Sequence, residues 1–177
     1  MNEKIKTINE WAEKYGLNNA RYDLQVMKIY EEIGELTAGV LKYDKHAVKD
    51  GIGDVFISML VLANQLNIEI KKTNEQVIPY KYGTYQLVSD LILDELYPTV
   101  CSLSQHVQML RQDDLFDPMN IKQYIKMYMI DIILILQRMC EQLDFNFNTV
   151  IDETIDIVMN RSQARIYNQK NTISIDS

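Results

Sequence analysis

The fold of this chain is constrained most by one stretch, residues 55–63, in which eight of the nine side chains are apolar. The stretch lies in the middle of a helix that the pattern predicts from about 46 to 66. A helix that is apolar on every side is buried on every side. Because 55–63 is also too short to cross a bilayer, we expect it to form the centre of a globular core.

Helices are also predicted on both sides of this central segment. Between 20 and 42 apolar residues recur with a period of 3.6, at Val26, Ile29, Ile33, Leu36 and Val40. Shorter amphipathic helices are predicted at 7–14 and 149–167. Six glycines and three prolines leave few breaks in 177 residues, which favours long helices over many short strands. The sequence therefore predicts an all-α protein.

Two clusters of carboxylates lie on the two predicted helices that flank the turn near residue 44. Glu31, Glu32 and Glu35 lie within four residues of one another on the first helix, and Asp50 and Asp54 are four apart on the second. Residues at these spacings share a helix face. Antiparallel pairing about the turn places Glu35 opposite a residue near 53 and brings the two clusters together.

Such a group of carboxylates repels itself unless it is protonated or neutralised by a cation. Oxygen ligands suit Mg²⁺, with Mn²⁺ as an alternative. We therefore predict a divalent cation held by Glu32, Glu35, Asp50 and Asp54, with Gly34 and Gly53 narrowing the contact between the two helices. The competing interpretation is an acidic surface that only faces water.

The second half of the sequence repeats parts of the first. Residues 29–33 recur as 92–96 at an offset of 63, and residues 52–55 recur as 129–132 at an offset of 77. This constancy favours an internal duplication. Pro98 stands where Glu35 would recur, and we expect it to kink or end its helix. The second copy is therefore predicted to be degenerate.

Composition and charge narrow the function further. A net charge of -7 argues against general nucleic-acid binding, which would need a basic face. Cys101 and Cys140 lack a metal-ligand spacing and predict two reduced core thiols in a cytoplasmic protein without a membrane segment. His46 and His106 share no ligand spacing either, so we expect neither to be catalytic.

At the acidic residues the chain resembles the MazG-like, all-α nucleoside triphosphate pyrophosphohydrolases. The signature of that family is Glu-Glu-x-x-Glu, a spacer, and then Glu-x-x-Asp. Residues 31–36, Glu-Glu-Ile-Gly-Glu-Leu, match the first half, and residues 49–55, Lys-Asp-Gly-Ile-Gly-Asp-Val, match the second. The good match covers about residues 5–70. The chain departs from the signature at Gly51, where the family has Glu, and the adjacent Asp50 is the candidate replacement.

The resemblance implies Mg²⁺-dependent hydrolysis of a (deoxy)nucleoside triphosphate to the monophosphate and pyrophosphate. It implies that Glu31 or Glu32 orients or deprotonates the attacking water, while the cation is held by the four carboxylates named above. The residues implied to contact the substrate are Lys28, Lys49, Asn160, Arg161 and Arg165. Trp11, Tyr22 and Tyr30 are candidates for stacking on the base, although core packing is the better explanation for each of them.

The resemblance also implies a domain organisation. Residues 1–70 are expected to form the catalytic module and 71–84 a linker. Residues 85–177 would be a degenerate MazG-like repeat that packs on the module as the partner subunit of a pseudo-dimer, and a further homodimer stays open. Two other functions also stay open. One is a catalytically impaired module that binds nucleotide or protein, which Gly51 favours, and the other is a plain helical interaction module.

Overall fold

The computed structural model describes residues 1–70, 87–112 and 117–173, and for 162–173 it describes the backbone alone. The regular structure in these ranges is helical, and they contain no β-strand. The prediction of an all-α fold is therefore confirmed. The predicted linker, 71–84, lies outside the described residues.

Six helices follow one another along the described part of the chain. They are α1 (Asn2–Lys14), α2 (Tyr22–Leu41), α3 (Lys45–Gln65), α4 (Val88–Asp90 continuing through Leu91–Leu96 and Tyr97–Met109), α5 (Pro118–Gln142) and α6 (Phe147–Ile173). A short 3₁₀ turn, Leu17–Asn19, joins α1 to α2. The predicted helices agree with α2 and α3 to within two residues. The first helix begins earlier than predicted, and the last begins earlier and ends later.

Helices α2 and α3 form an antiparallel hairpin around a tight turn. Tyr43 adopts a left-handed conformation (φ 55°) after the end of α2. The Asp44 carboxylate then accepts hydrogen bonds from the amides of His46 and Ala47, at 3.0 and 3.1 Å. These bonds satisfy amides at the start of a helix that have no partner within it. The turn therefore sets the register of the two acid-bearing helices.

Two glycines let α2 and α3 approach each other closely. A Cβ atom built on Gly51 would lie 2.9 Å from the Cα atom of Leu36, and one built on Gly39 would lie 3.0 Å from the amide nitrogen of Val48. Residue 36 thus faces residue 51, which is within one residue of the predicted register. The prediction that Gly34 and Gly53 narrow this contact was wrong. Gly34 faces open space, and Gly53 lies against Thr154 of α6.

Helix α3 is the centre of the core, as its composition predicts. It packs against α1, α2, α5 and α6, and its residues from Val55 to Ala63 are all buried. Phe56 is fully buried, and its ring meets that of Phe147 edge to face with centroids 5.6 Å apart. Any charged group on the first turns of α3 therefore lies at the edge of this core.

The second half contains another pair of packed helices, α4 and α5. Arg138 of α5 donates two hydrogen bonds to the carboxylate of Glu95 on α4, at 2.5 and 2.7 Å. Pro98 does not end its helix, which continues to Met109; the predicted end at Pro98 was wrong, and the alternative, a kink, stays a prediction. The segment just before Pro98, Leu91–Leu96, is π-helical. This irregular turn changes the hydrogen bonding upstream of a residue that has no amide hydrogen.

The two cysteines differ in their surroundings. Cys140 is buried, and burial, together with the nearby Glu141 charge, raises the pKa of its thiol to about 12. Cys101 is exposed, so the prediction of two core thiols was wrong for this residue. Among the described helices, none combines the length and the apolar character needed to cross a membrane.

Candidate metal centre

A cleft opens where α2 and α3 meet α1 and α6. It has a volume of about 240 Å³. The residues that line it are Trp11, Lys28, Glu32, Asp54, Ile57, Ser58, Val158 and Arg161. Acidic and basic side chains thus share one wall with an aromatic ring and aliphatic groups. This mixture suits a ligand that carries both phosphates and a planar apolar group.

Glu32 is the most buried acid of the two clusters. Its side chain is 8% exposed, and its Oε1 atom lies 2.6 Å from the ammonium nitrogen of Lys28. The same nitrogen lies 2.8 Å from Oε2 of Glu31, which is itself largely exposed. Partial burial alone would lower the pKa of Lys28, but its hydrogen bonds to Glu31 and Glu32 outweigh burial and raise that pKa. Lys28 therefore stays protonated, and it supplies a positive charge at the cleft.

Asp54 has a pKa well above the ordinary value of an aspartate. Desolvation by the surrounding core is the largest cause that raises its pKa, which reaches about 6. The negative charges of Glu32, Asp50 and Glu35 raise the pKa of Asp54 further, and the positive charge of Arg161 opposes them. These four carboxylates are the predicted cation ligands. The structure thus brings them close enough for the other three to act on Asp54.

The carboxylates are not arranged as a closed ligand shell. No three Asp, Glu, His or Cys side chains in the described ranges lie close enough to hold a metal ion as they stand. Glu35 is exposed on α2, and Asp50 pairs with His46, whose Nδ1 atom lies 3.0 Å from Oδ2. Glu32 pairs with Lys28. Convergence of residues 32, 35 and 54 on one point therefore stays a prediction.

The surroundings of Gly51 leave no room for a cation-binding side chain at this position. The direction that a side chain would take from Gly51 leads into the backbone of Leu36. A glutamate at this position would separate α2 from α3 instead of reaching the acid cluster. Asp50, one residue earlier, is half-buried and has a charge that acts on Asp54. Asp50 thus acts on Asp54 through its charge, whereas a side chain at residue 51 would meet Leu36.

The basic residues predicted to contact the substrate have different positions. Arg161 lines the cleft together with Lys28. Lys49 points to α6, where it forms an ion pair with Glu153, and it is not among the residues that line the cleft. Asn160 is exposed beside Arg161. The side chain of Arg165 lies outside the described residues.

Sequence reasoning missed the apolar wall of the cleft and Ser58. Ile57, Ser58 and Val158 line it beside the acids, and Ser58 is a polar side chain that is 7% exposed within the central helix. A single polar residue in the apolar run 55–63 was the signal that could have indicated a cleft. Trp11, which was considered for stacking, lines the cleft, whereas Tyr30 hydrogen-bonds to Ser104, with 3.1 Å between the two hydroxyl oxygens.

Comparison with known proteins adds little to this geometry. The chain is similar to an uncharacterized 18.2 kDa protein from the rep-hol intergenic region of Haemophilus phage HP1 (strain HP1c1), with 40% identity over 70 residues. The match covers 39% of this chain and 43% of the phage protein, so the chain spans less than half the length of that relative. No protein-family model matches the sequence, and no solved structure matches it.

Proposed function

We propose that the chain is a Mg²⁺-dependent nucleoside triphosphate pyrophosphohydrolase of the MazG-like type, which converts a (deoxy)nucleoside triphosphate to the monophosphate and pyrophosphate. The observation that carries this proposal is the cleft in which Glu32 and Asp54 stand beside Lys28 and Arg161. Acids that can hold a divalent cation and bases that can bind phosphate thus face the same space. The signature at 31–36 and 49–55 supports the same assignment.

The residues present fit a hard divalent cation. Every donor in the cluster is a carboxylate oxygen, which is the ligand that Mg²⁺ and Mn²⁺ prefer. Burial, and then the charges of Glu32, Asp50 and Glu35, raise the pKa of Asp54, so a divalent cation beside this carboxyl would stabilise its ionised form. Glu32, Glu35 and Asp54 would hold the ion, with Asp50 in place of the missing glutamate. When bound, such an ion neutralises phosphate oxygens and stabilises the charge that develops as the bond breaks.

The chain's own residues would carry out the other parts of the reaction. Glu32 lines the cleft, so its carboxylate is better placed than that of Glu31 to orient a water molecule and take its proton. The water oxygen forms a bond to the α-phosphorus. The bond from this phosphorus to the oxygen that bridges to the β-phosphate breaks, and pyrophosphate leaves with the electron pair. Lys28 and Arg161 would bind the phosphates and offset their charge.

The packing of the two halves supports the proposed duplication. Helix α2 contacts α4, and α3 contacts α5, so the helices proposed to correspond lie next to each other. After α3, Asn67 is left-handed and the Ile68 amide bonds to the Ala63 carbonyl at 2.8 Å. After α5, Asp144 and the Phe145 amide repeat this geometry at 2.8 Å. In the second half the glutamate that corresponds to Glu32, Glu95, is neutralised by Arg138.

A catalytically impaired module that binds nucleotide is the second candidate. The observation that favours it is the position of Gly51 against Leu36, which removes one acid of the family signature. The absence of a ready three-acid group among the described residues points the same way. Such a module would bind nucleotide in the cleft without releasing pyrophosphate.

The test is a pyrophosphate-release assay across the (deoxy)nucleoside triphosphates with and without MgCl₂. We expect release that requires MgCl₂ and that is lost in Glu35→Gln and in Asp54→Asn, with unchanged far-UV circular dichroism. Glu13→Gln is a matched control, since Glu13 is an exposed acid of α1 outside the cleft. Full activity in either cluster variant would refute the ligand assignment. Nucleotide binding without release in the wild type would select the impaired module.

Asp50 has a test of its own. If Asp50 replaces the glutamate that the family signature has at position 51, Asp50→Asn lowers the rate at least tenfold, while His46→Gln, which removes only the imidazole that contacts Asp50, has a smaller effect. An unchanged rate in Asp50→Asn would mean that Glu32, Glu35 and Asp54 hold the cation without Asp50.

A further inference from the structure

The ion pair between Lys28 and Glu32 joins the solvent edge of the cleft to its buried part. The Lys28 side chain is 45% exposed, whereas the Glu32 side chain is 8% exposed. The two residues are four apart on α2. Because the Lys28 side chain is long and partly exposed, it can change its conformation without any movement of the helix. A buried carboxylate that loses its partner is strongly destabilising. While it is ionised, Glu32 therefore needs a positive charge at this place.

We propose that Lys28 is an internal counter-ion of the acid cluster, which neutralises Glu32 when no divalent cation is bound and gives up Glu32 when one binds. The inference rests on the proposed function, because it takes Glu32 as a cation ligand. An ammonium group and a divalent cation compete for the same carboxylate, and they repel each other at short range. Binding of the cation thus requires that Lys28 move away.

The position of Lys28 gives this exchange a consequence for the substrate. Lys28 lines the cleft that Glu32 and Asp54 also line. Once released from Glu32, its ammonium group remains at the same opening, where it can meet an anionic group of the incoming ligand. Arg161 is a different case, since its charge acts on Asp54. Cation binding would therefore free a positive charge that can bind phosphate. Because displacing Lys28 from Glu32 is unfavourable, the affinity for the cation would be weaker when no substrate is present.

The test is calorimetric titration of the full-length chain with MgCl₂ alone, without nucleotide. In Lys28→Met the competitor is gone, and we expect the Kd for Mg²⁺ to fall by about three- to tenfold, the order that one unit charge near a divalent ion produces in a partly solvated site. Lys6→Met is the matched control. It also removes a lysine from an i,i+4 pair, with Glu10, but this pair is exposed on α1, and we expect no change in Kd.

A second measurement uses urea unfolding in EDTA, where no divalent cation is available. We expect Lys28→Met to lower the unfolding midpoint more than Lys6→Met does, and the double variant Lys28→Met with Glu32→Gln to regain part of the loss. Saturating MgCl₂ should restore Lys28→Met to near the wild-type midpoint. A Lys28→Met chain that folds only with MgCl₂ would support the proposal in its strongest form, and one that is unfolded in both conditions would overturn it.

The outcomes separate this inference from the proposed function. An unchanged or weaker affinity for Mg²⁺ in Lys28→Met, with normal binding by the wild type, overturns the role of Lys28 and leaves the hydrolase proposal in place. Tighter binding in Lys28→Met, together with no pyrophosphate release from any nucleotide by the wild type, supports the role of Lys28 and overturns the hydrolase. A wild type that binds no divalent cation overturns both.

Discussion

The negative charge on Asp54 should destabilise the folded protein, and this destabilisation can be measured. Burial and three neighbouring acids raise the pKa of Asp54 from 3.8 to about 6. A carboxyl whose pKa is higher in the folded state binds its proton more tightly there than in the unfolded chain. Its contribution therefore favours the folded state at low pH, and this advantage is lost as the pH rises from about 4 to about 6. Above that range the ionised Asp54 weakens the fold by a constant amount.

The size of this effect follows from the two pKa values. A difference of about 2 in pKa corresponds to ~3 kcal/mol. Water reaches part of this half-buried side chain and screens its charge, so we expect ~1–2 kcal/mol in practice. The variant Asp54→Asn keeps the shape of the side chain and removes the charge. It should be more stable than the wild type by this amount at pH 7.5 in EDTA, and the difference should shrink towards pH 4.5.

The assay is urea unfolding followed by circular dichroism at several pH values between 4.5 and 7.5, with wild type and variant measured side by side. The difference between the two curves isolates Asp54 from the other titrating groups. Addition of MgCl₂ should stabilise the wild type and leave Asp54→Asn almost unchanged, since only the wild type retains the ligand. The reasoning would be refuted by an Asp54→Asn variant that is no more stable than the wild type at pH 7.5, or by a difference that does not depend on pH.

Three further predictions concern two glycines and one ion pair. Gly51→Ala should destabilise the protein by ~1–3 kcal/mol, because the new Cβ lies against the backbone of Leu36 and the helices must separate. Gly34 lies on the exposed side of α2, where a new Cβ would meet nothing within 4 Å, so Gly34→Ala should stabilise the protein by up to ~1 kcal/mol. Urea unfolding of the two glycine variants tests both predictions. Equal effects of Gly51→Ala and Gly34→Ala would contradict the assigned register of α2 and α3. Arg138→Met should destabilise by ~1–3 kcal/mol, because it removes two hydrogen bonds to the Glu95 carboxylate, and Glu95→Gln in the same chain should restore part of this; additive losses would argue against the pair.

The parts of the fold that could be predicted are those set by local pattern. The all-apolar run at 55–63 predicted the central helix, and symmetry about the turn near residue 44 predicted the α2–α3 register to within one residue. The role of each glycine could not be predicted in this way, because it depends on which helix lies opposite. Gly53 faces Thr154, about a hundred residues away in the sequence, and no local pattern indicates that contact.

The candidate site also has features that the sequence could predict and features that it could not. Spacing alone grouped the carboxylates, and the structure brings Glu32 and Asp54 into one cleft. The pairing of Lys28 with Glu31 and Glu32 also follows from spacing, because Lys28 lies three and four residues before them on α2; its contact with the substrate stays a prediction. Lys49, by contrast, pairs with Glu153 of α6, about a hundred residues away in the sequence. The pairing of Lys49 depends on how α3 and α6 pack together, which the spacing of charges does not encode.

The central claim is that Glu32, Glu35 and Asp54 share one divalent cation. The most direct measurement is anomalous diffraction from crystals grown with MnCl₂, in which Mn²⁺ stands in for Mg²⁺ and is located by its own scattering. We predict one strong peak within coordination distance of oxygens from all three side chains, with Lys28 moved away from Glu32. A crystal in which Mn²⁺ binds elsewhere, or in which Glu32 keeps its ion pair with Lys28 and no peak appears in the cleft, would contradict the account.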